Sequence, residues 1–347
     1  MKAWVLHDIG DIRFEDVDMP KIGDNEVLVA VKAAGICGSD IPRIYETGAH
    51  NMPIIPGHEF SGQVVDTGKN VDKKWLNKRV GGFPLIPCGK CDLCKRKLFE
   101  MCRNYNYLGS RCNGGFAEFV SVPEWNLIEL PDNVTYEQAA MLEPMSVAVH
   151  AIRRVNIQPN DTVAVQGLGT IGLLVTMFLK EMGIRNILAI GNKEFQKDTI
   201  TKIGLSEEDF CNSKNIEVSS FIKNKTTDGV DVYFECVGKN ETINTAIDNT
   251  APAGKVILVG NPYSDISLDK NVYWKILRNQ LTVIGTWNSS FTHDKNDDWH
   301  YVISILNKGV SKFEAIISHR VELSKLINMS EIMREKREAY SKIILAE

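Results

Sequence analysis

Along roughly the first 150 residues, apolar positions come in short runs broken by Gly and Pro. Glu26-Val27-Leu28-Val29-Ala30-Val31 and Gly62-Gln63-Val64-Val65 have the alternating, β-branched texture of strands. Such a mosaic predicts a compact, β-barrel-like domain. The texture changes near Ile157-Gln158-Pro159-Asn160-Asp161. From there apolar strands at 162–166, 186–190, 231–235 and 255–259 alternate with helical segments, the first running to Met182. That alternation predicts an α/β domain with a doubly wound parallel sheet. After 281–285 the pattern is mixed again, so the tail is expected to rejoin the first domain. The expected division is 1–150, 151–285 and 286–347. No internal repeat or low-complexity segment interrupts it.

Bulk properties narrow the field. At 347 residues the chain exceeds what one core usually supports. A formal net charge of −4 lacks the basic excess that a nucleic-acid or membrane-surface partner demands. The N-terminus carries no secretory-type apolar run, and no stretch approaches the roughly 18 apolar residues of a membrane span. A cytoplasmic protein with neither nucleic-acid nor membrane partners is expected, its cysteines kept as thiolates.

Cys88, Cys91, Cys94 and Cys102 are spaced C-x2-C-x2-C-x7-C, with Pro84, Pro87 and Gly89 breaking the backbone before Cys91. A lobe over 84–104 with this spacing suits one tetrahedral zinc, and four thiolates leave no open position for chemistry. A disulfide pair or four unrelated thiols is the alternative. Gly167-Leu168-Gly169-Thr170-Ile171-Gly172 reads G-x-G-x-x-G between an apolar strand and an apolar helix. In that context Gly167, Gly169, Thr170, Ile171 and Gly172 are expected to cradle a dinucleotide pyrophosphate. At the end of the next strand, where an NAD site usually has Asp or Glu, the chain reads Gly191-Asn192-Lys193-Glu194. Gly191, Asn192 and Lys193 suit a 2′-phosphate, so NADP is preferred over NAD. The alternative is Glu194 as ribose ligand and Lys193 as a solvated loop lysine. Cys37, His58, Glu59 and Glu143 supply a mixed thiolate, imidazole and carboxylate set, which leaves a zinc ion open to substrate. Taken singly, each also suits an ordinary buried or capping residue.

Together these residues resemble the zinc-containing medium-chain dehydrogenase/reductases over nearly the whole chain. Gly57-His58-Glu59-Phe60-Ser61-Gly62, the cysteine lobe and the Gly-rich turn carry the likeness. The polyol dehydrogenases, sorbitol and galactitol-1-phosphate enzymes among them, are resembled through Glu143-Pro144-Met145-Ser146 and Cys37-Gly38-Ser39-Asp40. Gly48-Ala49-His50, Leu108-Gly109-Ser110-Arg111 and Lys275-Ile276-Leu277-Arg278 add to it. The resemblance implies a Rossmann domain joined to a β-rich, GroES-like catalytic domain. It implies a catalytic zinc on Cys37, His58 and a carboxylate, Glu143 being preferred and Glu59 the alternate. A structural zinc in the cysteine lobe is the second metal. Ser39 would take the alcohol proton while a secondary alcohol becomes a ketone. Arg43, His50, Trp287 and Asn288 are candidates for contacting a polyol or polyol phosphate. Homodimers or homotetramers, commonly formed through edge strands of the nucleotide domain, are implied too. The rivals are an NADP-dependent reductase of another ketone and a non-catalytic, zinc-stabilised binding protein.

Overall fold

A computed structural model of the chain describes residues 1–309 and 312–346. It divides into two compact units: Met1–Pro144 with Ser290–Val310 and Ile317–Glu347, and Met145–Ser289 with Ser311–Ile316. The first division falls inside the helix Leu142–Arg153.

The first unit is built around the long strand Glu26–Ile36, whose inward positions Val27, Val29, Val31, Ala33 and Ala34 are buried. This strand serves three neighbours. Its first half pairs with Phe119–Pro123, most of its length with Glu59–Thr67, and its end with Lys342–Ala346, all antiparallel. Register shifts at Leu28/Val29 and Val31/Ala33 bend it, as bulges do, so that one strand can change partners. The resulting seven-stranded sheet closes around Trp4, Val64, Phe60, Phe116 and Ile343. The segment after residue 289 is held to this unit by rings. Phe291 and Trp299 lie 5.0 and 5.4 Å from Phe83, centroid to centroid, and all three are buried.

The second unit is a six-stranded parallel sheet. Its order is Phe210–Asn212, Asn186–Gly191, Thr162–Gln166, Val230–Glu235, Thr250–Leu258, Thr282–Gly285. In chain order this is 3-2-1-4-5-6, the arrangement of dinucleotide-binding sheets. Helices pack over the sheet and bury Ala164, Leu188, Ile190, Tyr233 and Val256 on its inner strands. The α/β expectation, a doubly wound parallel sheet beside a β-rich domain, is borne out.

Candidate active site and metal clusters

The end of the strand Glu26–Ile36 delivers Cys37, and its neighbours complete the site. Gly35 pairs with Glu59 at the head of the strand Glu59–Thr67, and Ile36 pairs with Ile343 at the C-terminal end. Cys37, His58 and Glu59 thereby place a sulfur, a ring nitrogen and a carboxylate oxygen within 4.8 Å of one another. Lys342, fully buried, forms an ion pair with Glu59 and donates to the Ile36 carbonyl at 3.1 Å. Both side chains lie over Gly35, where a Cβ would collide with the Glu59 carboxylate and come within 2.8 Å of Lys342 Cε. Glycine is required there by close approach.

Asp40 organises the other side. Its carboxylate accepts the Cys37 N–H at 3.0 Å, pairs with Arg43, and lies 3.4 Å from His58 Nδ1. That nitrogen is buried and makes no hydrogen bond, the distance being an ion-pair approach without the alignment. Burial pulls the His58 pKa down, but Asp40 and Cys37 outweigh it and raise it well above normal. For Asp40, burial opposes ionisation, and His58 and Arg43 overcome it to leave the pKa lowered. Ser39 donates its hydroxyl to Cys37 Sγ at 3.3 Å.

The family resemblance favours Glu143 as the carboxylate ligand, whereas the close cluster contains Glu59. Glu59 follows His58 directly, whereas Glu143 comes from the first turn of the helix Leu142–Arg153 and accepts from the Tyr107 hydroxyl at 3.5 Å. Burial, with a smaller push from Glu59 and against the pull of His58, raises the Glu143 pKa to about 7. Arg43 is likewise not a free cation, since Asp40 engages it. His50 is exposed, and its N–H donates to the Ser110 carbonyl. Trp287 and Asn288 belong to the second unit, where Trp287 is exposed and Asn288 takes a positive φ of 53°.

In the cysteine lobe, Cys91 and Cys94 sulfurs are 3.5 Å apart, Cys91 and Cys102 3.9 Å, and Cys88 and Cys94 4.0 Å. A tetrahedron with arms of about 2.3 Å has edges of about 3.8 Å, whereas a disulfide brings sulfurs to about 2.05 Å. The four thiols therefore fit a zinc ion and not a pair of disulfides. Backbone N–H groups of Cys94 and Arg103 lower the Cys91 pKa to about 6, which favours the thiolate a metal requires. The lobe is less irregular than its Pro and Gly content predicts, because Asp92–Lys95 forms one helical turn around Cys94.

In the second unit Gly167 takes φ +97°, and a Cβ there would stand 2.5 Å from Val237. A Cβ on Gly172 would collide with the Gly167 carbonyl. Gly169 instead borders open space at the head of the helix Thr170–Glu181, with Thr170 and Ile171 in its first turn. Two glycines are thus needed for packing, while the third leaves room for a pyrophosphate at the helix N-terminus. Gly191 ends its strand, followed by exposed Asn192 and half-buried Lys193. Glu194 is occupied by Asn212 at 3.1 Å and Lys197 at 3.7 Å.

Sequence reasoning missed Asp40, Tyr107, Arg111 and Lys342. Asp40 had a signal, being an acid three residues after a candidate ligand. Arg111 lies over the Tyr105 ring at 4.4 Å, its Nε buried without a hydrogen-bond partner. No carboxylate pairs with it among the described residues.

A mixed metal-ligating cluster and a four-cysteine lobe on one unit, with a pyrophosphate-type turn on the other, define a metal-dependent dehydrogenase. Residues 23–132 match the alcohol dehydrogenase GroES-like domain, and residues 170–308 match the zinc-binding dehydrogenases. The chain belongs to this zinc-binding alcohol dehydrogenase family of NAD(P)-using oxidoreductases. It is 32% identical to galactitol 1-phosphate 5-dehydrogenase of Escherichia coli K12 over 92% of each chain. It is 30% identical to sorbitol dehydrogenase of Bacillus subtilis 168, over 94% of this chain and 91% of that one. The crystal structure of galactitol-1-phosphate dehydrogenase from Escherichia coli superposes with a TM-score of 0.92 at 30% identity, covering 100% of both chains. An NADP-bound structure from Sinorhizobium meliloti 1021 has a TM-score of 0.90 at 26% identity, covering 100% of this chain and 99% of that one.

The buried Glu59–Lys342 pair makes the first prediction. In metal-free protein Lys342→Met strips Glu59 of its counter-charge and lowers unfolding free energy by about 3–5 kcal/mol, the cost of orphaning a buried ion. Denaturant melts read this directly, and a loss below about 1 kcal/mol would show that the pair is hydrated or otherwise compensated.

Proposed function

We propose that the chain oxidises a secondary alcohol of a polyol phosphate to the ketone, with NADP preferred over NAD. Cys37, His58 and Glu59 hold the catalytic zinc in this reading, with Glu143 as the reserve carboxylate. Cys88, Cys91, Cys94 and Cys102 hold a structural zinc. When bound, the catalytic zinc supplies Lewis acidity that lowers the pKa of the substrate alcohol. Lys342 keeps Glu59 oriented, and Asp40 does the same for Cys37 and His58. Ser39, touching Cys37, accepts the alcohol proton and passes one on toward solvent. The Gly167–Gly172 turn and residues 191–193 hold the nicotinamide cofactor, which supplies the hydride acceptor.

The phosphate reading rests on Arg111. Arg43, the cation nearest Asp40 in sequence, is already neutralised. Arg111 instead ends a run of rings leading out from the cluster: His58 to Tyr107 at 5.8 Å, Tyr107 to Tyr105 at 6.2 Å, then the guanidinium on Tyr105. A half-buried guanidinium held by a ring and lacking a carboxylate suits a bidentate phosphate contact. The relatives named for galactitol 1-phosphate and sorbitol support a polyol frame.

For assembly we infer a homodimer through the strand Thr282–Gly285, the edge of the parallel sheet. Exposed Val283 lies on it, and the adjacent helix Lys270–Arg278 exposes Tyr273, Trp274 and Leu277. An uncovered edge beside apolar side chains is a ready surface for a second copy.

Each part has its own readout. Metal analysis is expected to find zinc at both clusters: Cys37→Ser loses one ion and turnover, while Cys102→Ser loses the other and thermal stability. Retention of full zinc in Cys37→Ser would remove the cluster from the mechanism. In steady-state assays with galactitol 1-phosphate, sorbitol and galactitol, each with NAD⁺ and NADP⁺, the phosphorylated substrate with NADP⁺ should turn over best. Arg111→Gln should raise KM for the phosphorylated polyol by roughly 10- to 100-fold, as for a lost charged hydrogen bond, leaving the free polyols within about threefold. Equal losses on both substrate types would exclude a phosphate role. Sedimentation velocity should show a dimer that Leu277→Asp with Val283→Asp converts to monomer, and an unchanged dimer would place the interface elsewhere.

A further inference from the structure

Gly191 looks from the sequence like the residue that chooses the cofactor. Its surroundings tell of a second residue behind it. Gln196, buried in the first turn of the helix Phe195–Ile203, turns its amide back over the strand end. Gln196 Oε1 accepts the N–H of Asn192 at 2.9 Å and of Lys193 at 3.0 Å. Its Nε2 donates to the carbonyl of Leu168 at 2.7 Å, inside the glycine-rich turn. One side chain thus ties the turn that faces a pyrophosphate to the loop that faces the adenosine ribose.

The same amide fills the space beside Gly191. A Cβ at position 191 would collide with Gln196 Oε1, lie 3.1 Å from its Cδ, and 3.1 Å from Phe210 Cε2. An amide end normally swings away from such a clash at little cost. This one is held by three hydrogen bonds, and leaving would strip the buried Leu168 carbonyl and the part-buried N–H groups of Asn192 and Lys193 of their partner. An acidic residue at 191 and Gln196 are therefore mutually exclusive in the present loop conformation.

We propose that Gln196 is the positioning residue that sets cofactor choice, with Gly191 as its consequence. It shapes residues 192–193 to meet a 2′-phosphate and bars the carboxylate that would bind the ribose hydroxyls. This rests on the NADP preference of the preceding subsection and deepens it. It also predicts that replacing the glycine alone does not convert the enzyme to NAD.

The test is equilibrium binding of NADPH and NADH to the zinc-loaded protein, followed by energy transfer from protein to nicotinamide fluorescence, with circular dichroism to establish folding. Gln196→Ala should weaken NADPH about tenfold, as for about 1.4 kcal/mol of lost hydrogen bonding, and leave NADH within about threefold. Gly191→Asp alone should weaken both cofactors. Gly191→Asp with Gln196→Ala should bind NADH about tenfold more tightly than Gly191→Asp does, by the same arithmetic. Gln196→Met, similar in length but without the amide, repeats the first comparison should the alanine variant be unstable. A purely structural role would move both affinities together, so an unchanged NADPH-to-NADH ratio in the Gln196 variants overturns the inference. So does a Gly191→Asp protein that binds NADH tightly by itself. Wild-type protein that binds NADH more tightly than NADPH fails the earlier cofactor reading, a result separate from both.

Discussion

The ion pair between Glu59 and Lys342 is the constraint around which the first unit is arranged. Taking two charges out of water costs several kcal/mol per ion, so such a pair survives only with good geometry and further hydrogen bonds. Here the Ile36 carbonyl accepts from Lys342, and Gly35 leaves the room both side chains occupy. The partners are 283 residues apart in sequence. They meet because one long strand, Glu26–Ile36, pairs with Glu59–Thr67 along its length and with Lys342–Ala346 at its end. The Glu59 carboxylate therefore gains its counter-charge only once the C-terminal strand has docked. A partly folded chain without that strand would hold Cys37 and His58 but leave Glu59 as an unpaired acid.

Asp40 plays the complementary part, and its commitments decide what neighbouring groups remain free to do. It fixes the Cys37 backbone, faces His58, and engages Arg43. Once Arg43 serves the acid that orients the cluster, its charge is no longer available to a substrate anion. Arg111 differs in having an aromatic ring, not a carboxylate, as its neighbour. Two arginines with similar standing in the sequence thus part company according to what lies beside them.

This contrast shows how far the sequence could be read. The alternation of strand and helix, the glycine-rich turn and the cysteine spacing are local signals, encoded within windows of ten to twenty residues or so. They led to the parallel sheet and to the four sulfurs found 3.5 to 4.0 Å apart. Lys342 had no such signal, for a lysine in a C-terminal strand reads as a surface residue until register places it over Gly35. Tyr107 falls between the cysteine lobe and the Leu108-Gly109-Ser110-Arg111 motif, and its contact with Glu143 depends on a residue 36 positions later. The one-turn helix Asp92–Lys95 escaped because N–H groups turned toward sulfur, not helix propensity, favour it.

Gln196 extends the same argument to glycine. Read alone, a glycine at a functional position invites the question of which side chain has been lost there. At Gly35 the missing Cβ admits an ion pair, at Gly172 it admits the Gly167 carbonyl, and at Gly191 it admits a buried amide. In each case the informative residue is the one that fills the vacated space, and it lies elsewhere in the chain. Gly169 is the exception, since nothing of the protein stands beside it, and it alone of the four borders space for a ligand. A glycine whose absent side chain is replaced by protein marks packing or preorganisation. One that faces emptiness in an otherwise tight turn marks where a bound molecule approaches the backbone.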